Sequence, residues 1–220
     1  MHLELPKIKI ESLKDFAKHY LMIVLSILTA LGLEAWIEHV HHHHAAEFSR
    51  RRMDQELTQV LKDIQHSVQI DQTSLATLKE FDARIVADLA SGLDTTEISK
   101  HILAHRSEFT LNTNWPTLPT NAWDAAVADQ SVGWIDAGTL QHYAAAYTSE
   151  RTLSSWLLHD STLLMDAPRL VDTLTDLNMG HPVEPYAFLR CLRQMQLMLS
   201  TTISFLQSTA QDIQPIRAGQ

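Results

Sequence analysis

One uncharged run near the start constrains this chain more than anything else in it. It reads Tyr20, Leu21, Met22, Ile23, Val24, Leu25, Ser26, Ile27, Leu28, Thr29, Ala30, Leu31, Gly32 and Leu33. Extension to Ile37 admits a single charge, Glu34. A helix over 20–37 rises roughly 27 Å, close to the bilayer's apolar core of about 30 Å. Tyr20 and Trp36 bracket the run, at the level where amphipathic rings prefer to sit. Glu34 lies within a turn of the far end, so its carboxylate reaches water. Core helices of soluble proteins seldom stay apolar on every face for this long, and the run therefore predicts a transmembrane helix.

A cleaved signal fits less well. Lys14 and Lys18 provide a basic flank, but Glu34, Ala35, Trp36, Ile37 and Glu38 follow the run where small residues are needed for cleavage. The expectation is an uncleaved, single-pass anchor. Lys7, Lys9, Lys14 and Lys18 lie close to the span, whereas Arg50, Arg51 and Arg52 stand beyond a stretch of histidines. The positive-inside rule then places the N-terminus in the cytoplasm and residues 45–220 on the other side.

Beyond the anchor the periodicity is helical throughout. Leu57, Leu61, Ile64, Val68, Leu75, Leu78, Ile85 and Leu89 step by fours and threes, with Asp71 and Asp82 in the two vacant places. That is a heptad seam, suited to a second chain, whose polar positions specify register. Neither Pro nor Gly occurs between Leu33 and Ser91, so the anchor is expected to run unbroken into the seam and to stop at Ser91-Gly92. A shorter helix follows from an Asp94 or Thr95 cap to about Phe109. Pro116 and Pro119 make 110–120 a loop.

Trp123, Ala126, Val127, Gln130 and Trp134 then return to helical spacing. Asp136 caps a helix facing inward with Leu140, Tyr143, Ala144, Tyr147, Leu153, Trp156, Leu157, Leu163 and Leu164, broken near Pro168. After a turn at Asn178, Met179, Gly180 and Pro182, a last helix over 185–213 points Phe188, Leu192, Met195, Leu199, Ile203 and Leu206 inward. No stretch alternates in the manner of a strand. The predicted class is all-α. A cytoplasmic tail (1–19) and an anchor (20–37) lead into a His-rich, basic juxtamembrane helix (38–56) and an antiparallel bundle (57–220).

Composition narrows the function. With 220 residues, Lys+Arg 17 against Asp+Glu 26 and a net charge of −9, the chain lacks the basic face that nucleic acid requires. One cysteine, Cys191, excludes an intrachain disulfide and a multi-cysteine zinc site. Six glycines form no phosphate-cradling string, and no cofactor is expected.

The stretch Asn121, Ala122, Trp123, Asp124, Ala125, Ala126, with Trp134, Asp136 and Leu140 to Tyr143 beyond it, is familiar, as is the run from Tyr20 to Glu34. Together they resemble a loose group of bacterial single-span, helix-rich inner-membrane proteins. In that group a span precedes a long helix and a Trp-x-x-Ala helix pair. The resemblance implies the architecture and a bacterial inner membrane, and it brings no catalytic residue. Read physically, Trp123 and Trp134 bury rings between helices while Ala125, Ala126 and Ala128 permit close approach.

Chemistry-bearing residues are sparse. Glu38, His39, His41, His42, His43 and His44 follow the span directly. On a helix His39 and His43, and Glu38 and His42, are neighbours one turn apart, a spacing at which imidazoles with a carboxylate hold Zn²⁺, Cu²⁺ or Ni²⁺. Imidazole in general titrates near pH 6.5, so acidification is expected to charge this membrane-proximal segment. His101 and His105 repeat the pairing, but the residues between them include no glutamate base. Cys191 reads as a buried thiol, and Arg50 to Arg52 as a solvated run.

The expected function is therefore a non-enzymatic, membrane-anchored module for protein interaction or assembly. Its partners are the lipid bilayer and either a second copy, through the 57–89 seam, or another membrane or periplasmic protein. The alternative is a periplasmic metal, pH or ligand sensor acting through a separate transducer, since only about 19 residues are expected on the cytoplasmic side.

Overall fold

A computed structural model describes residues 13–109, 113–165 and 168–218, without the side chains of 13, 163–165 and 215–218. Lys7 and Lys9, residues 110–112 of the loop and the side chains of Leu163 and Leu164 lie outside the described residues. The fold is all-α, with no strand among the described residues. Among the described residues six α-helices follow one another: α1 (Leu13–Ala90), α2 (Thr95–Ala104), α3 (Asn121–Ala128), α4 (Ala137–Met165), α5 (Pro168–Met179) and α6 (Pro185–Ala218). Short 3-10 turns occupy Arg106–Glu108 and Ser131–Trp134.

Helix α1 is a single rod of 78 residues, roughly 117 Å long. With neither proline nor an internal cap to stop it, it continues from the apolar run through the histidines into the body. It ends where Gly92 takes a left-handed φ of 78°, a conformation that glycine adopts without steric cost. Asp94 then caps α2, its carboxylate accepting the Thr96 amide at 3.1 Å. Asp136 performs the same service for α4 through the Thr139 amide at 2.9 Å. Gly180, at φ 75°, closes the end of α5.

Helix α6 is antiparallel to α1. Arg193 Nε lies 2.9 Å from Asp82 Oδ1, and one turn on Gln196 donates to the Leu78 carbonyl. It is antiparallel to α4 as well, through Thr202 with Asp160 and Ser149 with Asp212. Helices α1 and α4 therefore run parallel. The chain must return from the far end of α1 to the near end before α4 begins, and 113–120 makes that descent along the flank of α1. The Asn114 amide donates to Asp71 Oδ1 at 2.9 Å, and the Asn114 side chain donates to Ser67.

The interior divides into two apolar clusters. The near one joins Met53, Leu57, Val60, Leu61 and Ile64 of α1 to Ala122, Ala126, Tyr143, Tyr147, Leu153, Leu206 and Ile213. The far one joins Leu78, Phe81 and Ile85 to Ile98, Ile102, Phe109, Leu170, Leu177, Phe188, Leu192, Met195 and Leu199. Between them lies a layer of buried polar side chains: Ser67, Asp71, Asp160 and Thr202. Each fully buried Leu, Ile or Phe contributes about 1.5–3 kcal/mol.

Two expectations are corrected here. The heptad spacing of the seam predicts a surface for a second chain. Instead Leu57, Leu61, Ile64, Leu78 and Ile85 are buried in this chain's own clusters, and Val68, Leu75 and Leu89 are partly buried against them. Helix α6 covers the seam along its length, joined by α3 and α4 over the near half and by α2 over the far half, so its apolar demand is met internally. The body also starts earlier than residue 57. Ala46, Ser49 and Met53 are already buried, which moves part of the 38–56 segment into the core. Asp71 and Asp82 do fix register, but between α1 and its own chain: Asp71 holds the descending segment and Asp82 pairs with Arg193.

Candidate functional site

The feature that distinguishes this molecule from an ordinary soluble bundle lies on the first half of α1. An 18-residue window there has a mean hydropathy of 1.9, and none of it is buried against the rest of the chain. Tyr20, Leu21, Met22, Ile23, Leu25, Ile27, Leu28, Leu31, Leu33, Trp36 and Ile37 are all exposed. The two hydroxyls within the run are satisfied by their own helix: Ser26 Oγ donates to the Met22 carbonyl and Thr29 Oγ1 to the Leu25 carbonyl, both at 2.8 Å. Back-bonding of this kind removes the cost of placing a hydroxyl in hydrocarbon. At the near end Lys18 pairs with Asp15, and Phe16 stacks on Tyr20.

Just past the run stands the histidine collar. Glu38 Oε1 lies 3.4 Å from His42 Nε2, and the His42 ring stacks on Trp134 with centroids 3.6 Å apart. His43 meets His44 edge-on at 6.3 Å. Among the described residues no three His, Cys, Asp or Glu side chains come together to hold a metal ion. Of the expected set Glu38, His39, His42 and His43, this chain brings Glu38 and His42 together. Residues 38 and 42 share one face of α1, whereas 39 and 43 point about 100° around it, and no second element brings a ligand across. The element that does arrive is the Ser131–Trp134 turn, which offers a tryptophan.

That turn is fastened by a buried hydroxyl pair. Ser49 Oγ and Ser131 Oγ lie 2.7 Å apart, and Ser131 Oγ is 3.3 Å from the Ala126 carbonyl. Gln130, at φ 64°, reverses the chain to make the turn. Trp123 packs on Tyr147 as expected of a structural ring, 5.4 Å between centroids. Trp134 does not: it is 55% exposed.

Above the collar sits a buried polar group that the sequence did not announce. Tyr143 donates to Asp54 at 2.5 Å, and Tyr147 donates to Glu56 at 2.9 Å. Both Glu56 oxygens accept the Ala122 amide at 3.1 Å, which holds the start of α3 on α1. Burial raises both phenols well above their ordinary pKa, reinforced by the facing carboxylates. Glu150, three residues beyond Tyr147, is 0% exposed, and neither of its oxygens has a hydrogen-bond partner. Burial, assisted by the charge of Glu56, pushes its carboxyl up to about 8. One signal was available, since Tyr143, Tyr147 and Glu150 share a helical stripe. A glutamate on a stripe is ordinarily at its edge, however, and nothing local says otherwise.

The remaining expectations resolve simply. His101 pairs with Asp88 at 2.9 Å and His105 with Glu108 at 2.8 Å, on an exposed flank where Arg84 also meets Glu108. Cys191 is buried beside Thr173. Of the three arginines, Arg50 is half-buried beside Glu47, Arg51 is exposed and Arg52 lies over the Phe48 ring. No family model, curated protein or solved structure matches the chain.

Proposed function

We propose that the chain is a single-pass bacterial inner-membrane protein, with its N-terminus in the cytoplasm and its helical body in the periplasm. It works there by protein contact and assembly rather than catalysis. The observation that carries this reading is the exposure of the whole 20–37 run on a helix whose later turns are buried. An apolar surface of that extent is stable only against lipid or another apolar partner. The partner of the body is a second copy or another membrane or periplasmic protein. It is met on faces other than the seam, where Leu158, Met179, Tyr186 and Leu197 remain exposed.

Membranes washed with high salt and alkaline carbonate should retain the intact chain, and a reporter fused after residue 220 should report the periplasm. Release into the supernatant overturns the anchor. Crosslinking in native membranes should capture a dimer or a discrete partner, and a strictly monomeric, partnerless chain overturns the assembly role.

One observation favours a second reading, a pH sensor that works through a separate transducer. Glu150 is enclosed, unpartnered and held at about 8, within reach of physiological proton concentrations. Tryptophan fluorescence that stays constant between about pH 6 and 9 would remove that reading.

A further inference from the structure

The Ser131–Trp134 turn has a height along α1 as well as a position on it. Its Trp134 ring is stacked on His42, with planes 14° apart, and its Ser131 hydroxyl is locked to Ser49. His42 lies five residues past Ile37, about 7.5 Å further along the axis. Helix side chains lean toward the N-terminus, so the imidazole and the indole on it sit closer to the span than the His42 backbone does. A bilayer's headgroup layer adds about 5–7 Å beyond the apolar core on each side.

The indole therefore sits at headgroup depth, and one of its faces is free. Trp134 is 55% exposed, and Gly133 beside it has nothing within 4 Å of where a Cβ would stand. Tryptophan is the residue that most favours this layer, because its ring is apolar and its N–H is polar. Phe48, the next exposed large apolar side chain on α1, is eleven residues past Ile37, about 16 Å along, which takes it clear of the lipid.

We propose that the Ser131–Trp134 turn is a second membrane contact, in which Trp134 enters the headgroup layer of the leaflet from which α1 emerges. Resting on the anchor reading above, this assigns the turn a purpose that the span cannot serve. A single helix leaves the body free to tilt, and a ring fixed to one side of that helix at the surface opposes that motion. Its occupant is phospholipid headgroup, and His42 and the Ser49–Ser131 pair are its supports.

The test uses the full chain in phosphatidylcholine vesicles, with an environment-sensitive dye on a single introduced cysteine. Cys191 is buried, so the parent chain supplies the labelling background. Labels at Trp134→Cys and, with the tryptophan kept, at Gly133→Cys are compared with Leu28→Cys inside the span and Met179→Cys on the exposed far end of α5. Lipids spin-labelled on the headgroup should quench the 133 and 134 labels several-fold more than they quench the 179 label, and more than mid-chain spin labels do. Mid-chain labels should quench position 28. If position 28 is quenched while 133 and 134 behave like 179, the second contact is overturned and the anchor stands. If position 28 is not quenched, the anchor reading fails and the contact fails with it.

Discussion

Glu150 shows how much a single side chain's surroundings decide. In the unfolded chain a glutamate titrates near 4.3, whereas in the body it is held at about 8. Between those values the folded state binds the extra proton, so stability falls as pH rises through the window and levels off above it. Glu150→Gln should flatten that slope. In urea unfolding followed by circular dichroism it should leave stability near pH 5 almost unchanged and raise it near pH 8 by about 1–3 kcal/mol. An unaltered slope would place the titration elsewhere. The Tyr147 hydroxyl acts in the opposite sense, because it donates to a carboxylate that also holds α3. Tyr147→Phe should cost about 1.5–3 kcal/mol in the same assay, the usual range for a hydrogen bond to a charged group.

Among the elements, the least regular segment has the most specific attachment. Residues 113–120 descend without helix, and their link to α1 runs through Asn114 to Asp71 and Ser67, both buried. Burial raises the Asp71 carboxyl even though the Asn114 amide draws it down, which marks the side chain as held in place rather than solvated. Asp71→Ala should free this segment, so that limited proteolysis cleaves within 113–120 at least several-fold faster while the helical content stays near that of the parent. Equal cleavage rates would show that the loop is held by other means. The helices themselves were legible. Gly92, Asp94, Asp136, Pro168 and Gly180 act where they stand, whereas α2 stops at Ala104 and gives way to a 3-10 turn before the expected end near Phe109. The pairing of α1 with α4 in parallel was not legible, because it depends on the length and path of a segment with no period of its own.

At the scale of the whole molecule, the near and far clusters share α1 and α6 across the polar layer. Two rods that run through both clusters should make the body a single cooperative unit despite that layer. Leu61→Ala in the near cluster and Leu192→Ala in the far one should each cost about 2–5 kcal/mol. The double variant should lose their sum and still unfold in one step. Two separated transitions would mean that the polar layer divides the body into independent halves.

By itself the sequence determined the all-α class, the exposed apolar run, the continuity of α1 and the inward faces of α4 and α6. Each of these follows from period, length or a cap within a few residues, and the chain needs no distant partner to express them. Tertiary structure alone decided the rest. It turned the 57–89 seam onto the chain's own helices. It also enclosed Glu150 without a partner and brought Trp134 to His42. These outcomes depend on which segments, far apart in the chain, come to lie side by side, and apolar periodicity records only that a face will be covered, not by what.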